Sequence, residues 1–273
     1  MKKRVVTAAI LIPVLVLVTL VAPKIVAAVV WGVLLMIGVY ELLYSTGLVR
    51  HPRMVLYSAL MAFATSLWSY YGANQGIALL GLLVFWILLF SELMANHVKI
   101  SLEMITYCLF AGGLAPYLLT ALIRVLNMSA GRYLIPIPFV VAFSSDAGAY
   151  FAGSFFGKHK LAPVVSPNKT IEGALGGLVA GVVSMLLYAV ILDLIPLMSF
   201  RVNYGAAVVY GFLGCLVAEL GDLCFSVVKR QTGIKDYGNL VPGHGGVLDR
   251  FDSILAVAPL VEALLLMMPV IEW

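Results

Sequence analysis

The chain has 273 residues, 63% of them hydrophobic and only 11% charged, with a mean hydropathy of +1.06. A water-soluble domain of this size carries about a quarter charged residues, so the composition excludes a soluble globular fold and points to a chain solvated by lipid. The net charge of +4 is too small and too dispersed to argue for nucleic acid, and Cys108, Cys215 and Cys224 lie in apolar runs without C-x-x-C spacing, which reads as small core residues rather than a disulfide frame or a zinc site.

The opening MKKR precedes an apolar run over 5–22. It has the pattern of a secretory leader, but it is long enough to span a bilayer and is expected to stay as a first span. Further apolar runs cover roughly 25–45, 54–72, 76–95, 102–123, 134–156, 170–192, 205–228 and 252–271. Each is close to the ~20 residues that a spanning helix needs. The fifth span is interrupted by Gly112, Gly113 and Pro116, and the sixth opens on Leu134-Ile-Pro-Ile-Pro. The expected fold is all-α, a polytopic integral membrane protein of about nine transmembrane helices.

Lysine and arginine orient it. With the N-terminus inside, Lys2, Lys3, Arg4, Arg50, Arg53, Lys99, Lys158, Lys160, Lys169, Lys229, Arg230, Lys235 and Arg250 share one side, and Lys24, Arg124, Arg132 and Arg201 the other. The positive-inside rule then expects a cytoplasmic N-terminus and an outside C-terminus. That places the loops 157–169 and 229–250 in the cytoplasm, and the protein in the cytoplasmic (in a two-membrane cell, inner) membrane.

Residues 1–125 are chemically quiet. Glu41, Glu92 and Glu103 fall at or near span ends, where a carboxylate is expected to reach water. This part is read as a transmembrane scaffold of about five helices that also lines a lipid-accessible cavity. Residues 126–273 are read as the catalytic region.

Asp146 sits inside the sixth span and must face protein, water or metal, because an ionised aspartate in lipid costs a few kcal/mol or more. The loop GKHKLAPVVSPNKTIEG follows. Its segment Ser166-Pro-Asn-Lys169-Thr170 ends where a helix begins, which suits either a phosphate on free N–H groups or a plain Thr170 cap with Lys158 and Lys160 as topology charges. Gly173, Gly177 and Gly181, four apart, form a ridge for packing within the fold or between subunits, which gives a homodimer a surface. Glu219, Asp222 and Ser226 share one helical face. Asp249 and Asp252 open the last span, across the polar interval 226–252 that holds five glycines, Pro242 and His244. Hard oxygen ligands beside basic residues suit Mg²⁺ together with phosphate; ion pairing with the same lysines and arginines is the plainer alternative.

The string Ser226-x-x-Lys229-Arg230-(x)4-Lys235-Asp236, followed by His244-Gly245-Gly246-x-x-Asp249-Arg250-x-Asp252, resembles the signature of the phosphatidate cytidylyltransferase family. Asp146-x-x-Ala-Tyr150, the GKHK run and Ser166-Pro-x-Lys169-Thr-x-Glu172-Gly173 resemble that family too. The resemblance implies transfer of CMP from CTP to phosphatidic acid, giving CDP-diacylglycerol and pyrophosphate. It implies catalytic roles for Asp222, Asp249, Lys229, Arg230, His244 and Arg250, and substrate contacts by Lys158, Ser166, Lys169, Ser226, Lys235, Gly245 and Gly246. Asp222 and Asp249 are then the metal ligands, with Asp146 and Asp252 as further or outer ligands. The alternatives are a CTP-dependent polyprenol kinase and, from another class, an ion-coupled transporter using Asp146, Glu219 and Asp222. Against the transporter, the charges gather at one face instead of crossing the bilayer.

Overall fold

A computed structural model describes residues 18–72, 74–195, 201–238 and 245–272. The expected first span and His244 therefore lie outside the described residues, apart from the end of that span. Helix α1, Lys24–Tyr40, follows Pro23 and buries Ala28, Trp31, Leu35 and Val39, three or four apart, as one stripe with Ala27 beside it. It runs on into a π-turn, Glu41–Ser45. Helix α2, Pro52–Tyr71, starts on a proline, whose missing N–H costs nothing there, and stops at Gly72 with φ +56°. Helix α3, Gln75–Ala95, is capped by the Asn74 side chain and exposes nearly all of its apolar length, with only Phe85 and Leu89 buried. Such a helix is sustained by lipid, not by water.

The expected fifth span is a chain of short pieces: α4 (Leu102–Leu109), a π-turn (Phe110–Leu114), α5 (Ala115–Leu119) and α6 (Ala121–Asn127). The break falls where Gly112 presses against Ser58 of α2, so closely that a Cβ there would lie 2.8 Å from the Ser58 Cα. A short turn, α7 (Gly131–Leu134), leads into α8, Pro136–Phe156.

The loop 157–169 folds as an antiparallel hairpin of β1 (Lys160–Ala162) and β2 (Ser166–Thr170), with Lys160 opposite Thr170 and Ala162 opposite Ser166. Helix α9, Ile171–Asp193, packs along α8, and its Gly173 and Gly177 lie against Ala149, Gly153 and Ser145. Gly181 meets Cys215 of α10, Tyr204–Gln231. The glycine ridge is thus buried inside the fold, and a homodimer no longer draws on it. After α11, Leu248–Met267, the pair β3 (Arg201–Val202) and β4 (Ile271–Glu272) ties the start of α10 to the chain's end. The fold is mostly helical, as expected, with two small strand pairs among the described residues.

Six helices among the described residues are long and apolar enough to cross a membrane: Lys24–Ser45, Gln75–Ala95, Leu102–Asn127, Gly131–Phe156, Ile171–Asp193 and Tyr204–Gln231. Helices α2 and α11 exist where spans were expected but fall outside that set. The first carries serines and tyrosines, the second Asp249, Arg250, Asp252 and Glu262.

The chain divides into two compact units, one of residues up to Ser129 with Lys229–Phe251, the other of Ala130–Val228 with Asp252–Trp273. The polar interval after α10 therefore groups with the amino-terminal helices.

Candidate active site

In the second unit, the hairpin delivers Lys169 to α10. Its Nζ lies 2.7 Å from Glu219 Oε1 and 2.7 Å from Asp222 Oδ2. Glu219 and Asp222 meet it together because three residues is almost one helical turn. Ser226, one turn further, donates to Asp222 Oδ1 at 3.4 Å. Burial works against the charge on Lys169, but the Asp222 and Glu219 carboxylates outweigh it and hold its pKa above the ordinary lysine value. Lys169 stays charged throughout the neutral range.

Beside this cluster lies a cavity of about 500 Å³, lined by Asp146, Tyr150, Asn168, Lys169, Thr170 and Glu219 among others. Small residues keep it open: Ala149, Gly153 and Gly173 form one wall between α8 and α9. Thr170 caps α9, its Oγ1 accepting from the Gly173 N–H at 3.1 Å. Glu172 holds the hairpin's entry, accepting from the backbone N–H of Lys158 and of His159, with His159 Nδ1 2.6 Å from its Oε1. The Lys158 and Lys160 side chains are exposed, and Ser166 is half-buried in the hairpin. Asp252 is buried at the start of α11, with its Oδ1 accepting from the Ser253 N–H at 2.9 Å. Gly221 of α10 packs on that turn of α11, against the Asp252 carbonyl and Ser253.

In the first unit, Asp249 organises the polar interval. Its Oδ1 accepts from Lys229 Nζ at 2.9 Å, and its Oδ2 accepts from the Tyr237 and Gly246 N–H groups at 2.8 and 2.9 Å. The carboxylate is nearly closed off, with a side chain 3% exposed. Gly245, at φ +85°, turns the chain beneath it, where a Cβ would meet Asp249 Oδ2. Lys229 also lies over the Tyr237 ring, 5.4 Å from its centre. Arg230 and Lys235 are exposed and Arg250 is half-buried.

Glu41 was expected to reach water, and this is a correction. Its side chain is buried and accepts from the N–H groups of Val247 at 3.0 Å and Leu248 at 2.9 Å, at the start of α11. The signal was present, since an ionisable residue within an apolar run is a functional candidate until a partner is found. Glu92 behaves closer to expectation, 3.7 Å from the exposed Arg53 and accepting from the Tyr57 hydroxyl.

Among the described residues no three histidines, cysteines or carboxylates gather to hold a metal alone. Magnesium needs less than that, taking one or two carboxylates and completing its shell with water and phosphate. Asp222 and Glu219 already converge on one cation, the Lys169 ammonium, and Asp146 lines the adjoining cavity. This donor set fits a hard divalent ion.

A model of the cytidylyltransferase family matches residues 2–268. The phosphatidate cytidylyltransferase of Staphylococcus haemolyticus is 42% identical over 140 residues, 51% of this chain and 52% of that protein. The protein of the same name from Staphylococcus aureus strain COL is 43% identical over 138 residues, 50% of this chain and 51% of its own length. The chain spans about half the length of the curated relatives it matches.

Proposed function

We propose that this chain, which belongs to the cytidylyltransferase family, transfers CMP from CTP to phosphatidic acid, releasing pyrophosphate and forming CDP-diacylglycerol. The names of its relatives support the substrates. The observation that carries the reading for this chain is the Lys169–Glu219–Asp222 cluster, whose Lys169 and Glu219 line the 500 Å³ cavity. It puts a fixed cation and ion-binding carboxylates beside a space that takes a phosphorylated group.

In the reaction, an oxygen of the lipid phosphate attacks the α-phosphorus of CTP, and the bond to the bridging oxygen of pyrophosphate breaks. A phosphate monoester has its second pKa near ~6, so the attacking group is ionised and needs no strong base. What the chain supplies is position and positive charge. Lys169 meets one phosphate from the hairpin, with Lys158 and Ser166 on the same element. Lys229, Arg230, Lys235 and Arg250 bring further cations from the polar interval, where the Gly245 and Gly246 backbone comes close to an anion and His244 donates to the leaving group. Ser226 orients Asp222.

Asp222 and Asp249 are the proposed ligands of a divalent ion such as Mg²⁺, with Asp146 and Asp252 as further or outer ligands. When bound, that ion draws charge off the phosphates.

The proposed topology is nine spans with the N-terminus in the cytoplasm, the C-terminus outside and both polar segments facing the cytoplasmic nucleotide pool. Thirteen of the 17 lysines and arginines on one side support it.

The test is turnover of phosphatidic acid by purified protein with CTP labelled at the α-phosphate, with and without chelator. Label in the lipid product is expected, and chelator should abolish it. Lipid labelled only when the γ-phosphate carries the label would make the protein a kinase and overturn the reading.

A further inference from the structure

Glu41 lies 206 residues from Val247 in sequence, yet its two carboxylate oxygens take the two N–H groups that open α11, with Oε1 on Val247 and Oε2 on Leu248. The first N–H groups of a helix have no partner within the helix and attract negative charge. Val247 has no side chain that could serve them, so the cap comes from α1's π-turn. Two glycines fit around this carboxylate. A Cβ on Gly238 would lie 2.5 Å from Glu41 Oε1, and one on Gly246 would collide with the same carboxylate. Gly238 and Gly246 thus both lie against the Glu41 carboxylate. Next to the capped N–H groups come Asp249 and Arg250. Asp249 in turn holds Lys229 and the Tyr237 and Gly246 backbone.

We infer that Glu41 is a positioning residue for the transfer reaction, setting the first turn of α11, which carries Asp249 and Arg250, by capping that helix in trans. This rests on the function proposed above and adds to it a residue from the region read as scaffold. The requirement is a carboxylate and not merely a polar side chain. Both oxygens accept, whereas an amide of the same shape would point its NH₂ at one of the two N–H donors.

Glu41→Gln is the informative variant, read in purified full-length protein by two measurements per folded molecule. Hydrogen exchange of peptides covering 245–250 reports the cap. The dissociation constant for CTP reports positioning, and a mere loss of folded protein would not move it. Glu41→Gln should speed that exchange and weaken CTP binding by about tenfold, the equivalent of one hydrogen bond to a charged group. Gly238→Ala, which pushes on the same carboxylate, should move both in the same direction and carries the test if Glu41→Gln does not fold. Unchanged exchange in the folded variant would overturn the cap. Faster exchange with unaltered CTP affinity and turnover would overturn the positioning role. If the wild-type protein itself fails to bind CTP, the proposed function fails, while the exchange measurement still decides the cap.

Discussion

Lys169, Asp222 and Asp249 carry charge in different settings, and substitution should separate them. Lys169 is about one-fifth exposed at its side chain, as is Glu219. Its ion pairs are therefore largely shielded from water, and removing the cation leaves two partly buried carboxylates, at a cost of about 3 kcal/mol. Lys169→Ala should still fold, with a lower denaturation midpoint, while its affinity for CTP or for the lipid phosphate falls. A wild-type dependence of turnover on CTP would return that lysine to a topology role. Asp249→Asn removes the partner of Lys229, whose side chain is 12% exposed, and should cost about 3 kcal/mol, visible as a lower denaturation midpoint in detergent. Asp222→Asn should instead leave the fold intact and abolish most turnover at every Mg²⁺ concentration. The sequence expectation that Asp222 and Asp249 act together is a kinetic one: the double variant should be little slower than either single one. Folded single variants with normal rates and normal metal dependence would end the metal assignment. Asp222 was legible as a ligand candidate from spacing alone. The three donors around Asp249 were not, because two of them are backbone groups brought in by the turns at Tyr237 and Gly246.

At the scale of elements, the interface of α8 and α9 rests on backbone approaching backbone. A Cβ at Gly177 would sit 2.9 Å from the Ser145 carbonyl oxygen, where neither helix can give without moving. Gly177→Ala should therefore cost about 1–3 kcal/mol. Gly113→Ala, with nothing within 4 Å, should be neutral within error by the same thermal-unfolding measurement. The four-residue period announced the first glycine as a packing residue, but not its partner helix. The hairpin at 160–170 escaped notice because its strands are three and five residues long and lack alternating apolar residues. Its order comes from Glu172, which gathers the Lys158 and His159 N–H groups. Both π-turns were hidden too, since a single extra residue in a helix leaves no compositional trace.

At the scale of the whole molecule, orientation is testable without activity. With a cytoplasmic N-terminus, a cysteine at Asn239 should react only with reagents that reach the cytoplasm, and one at Asn203 only from outside. Reaction of both from one side would exclude the nine-span topology. Hydropathy identifies the apolar stretches, because lipid leaves a helix few alternatives to a long uncharged run. It reads less clearly where a helix opens on charge, as α11 does with Asp249, Arg250 and Asp252. Nor does it show that residues 229–251 group with the amino-terminal helices.

By itself the sequence determined the membrane class, the positions of most helices and the polar residues that carry the family signature. Each of these follows from composition or from spacing within one element. Only the tertiary structure decided which charges meet: Lys169 with Glu219 and Asp222, Asp249 with Lys229, and Glu41 with the first turn of α11. Those pairings join positions 20 to 207 residues apart. No local pattern encodes them. They are set by the requirement that a buried carboxylate find donors wherever the folded chain provides them.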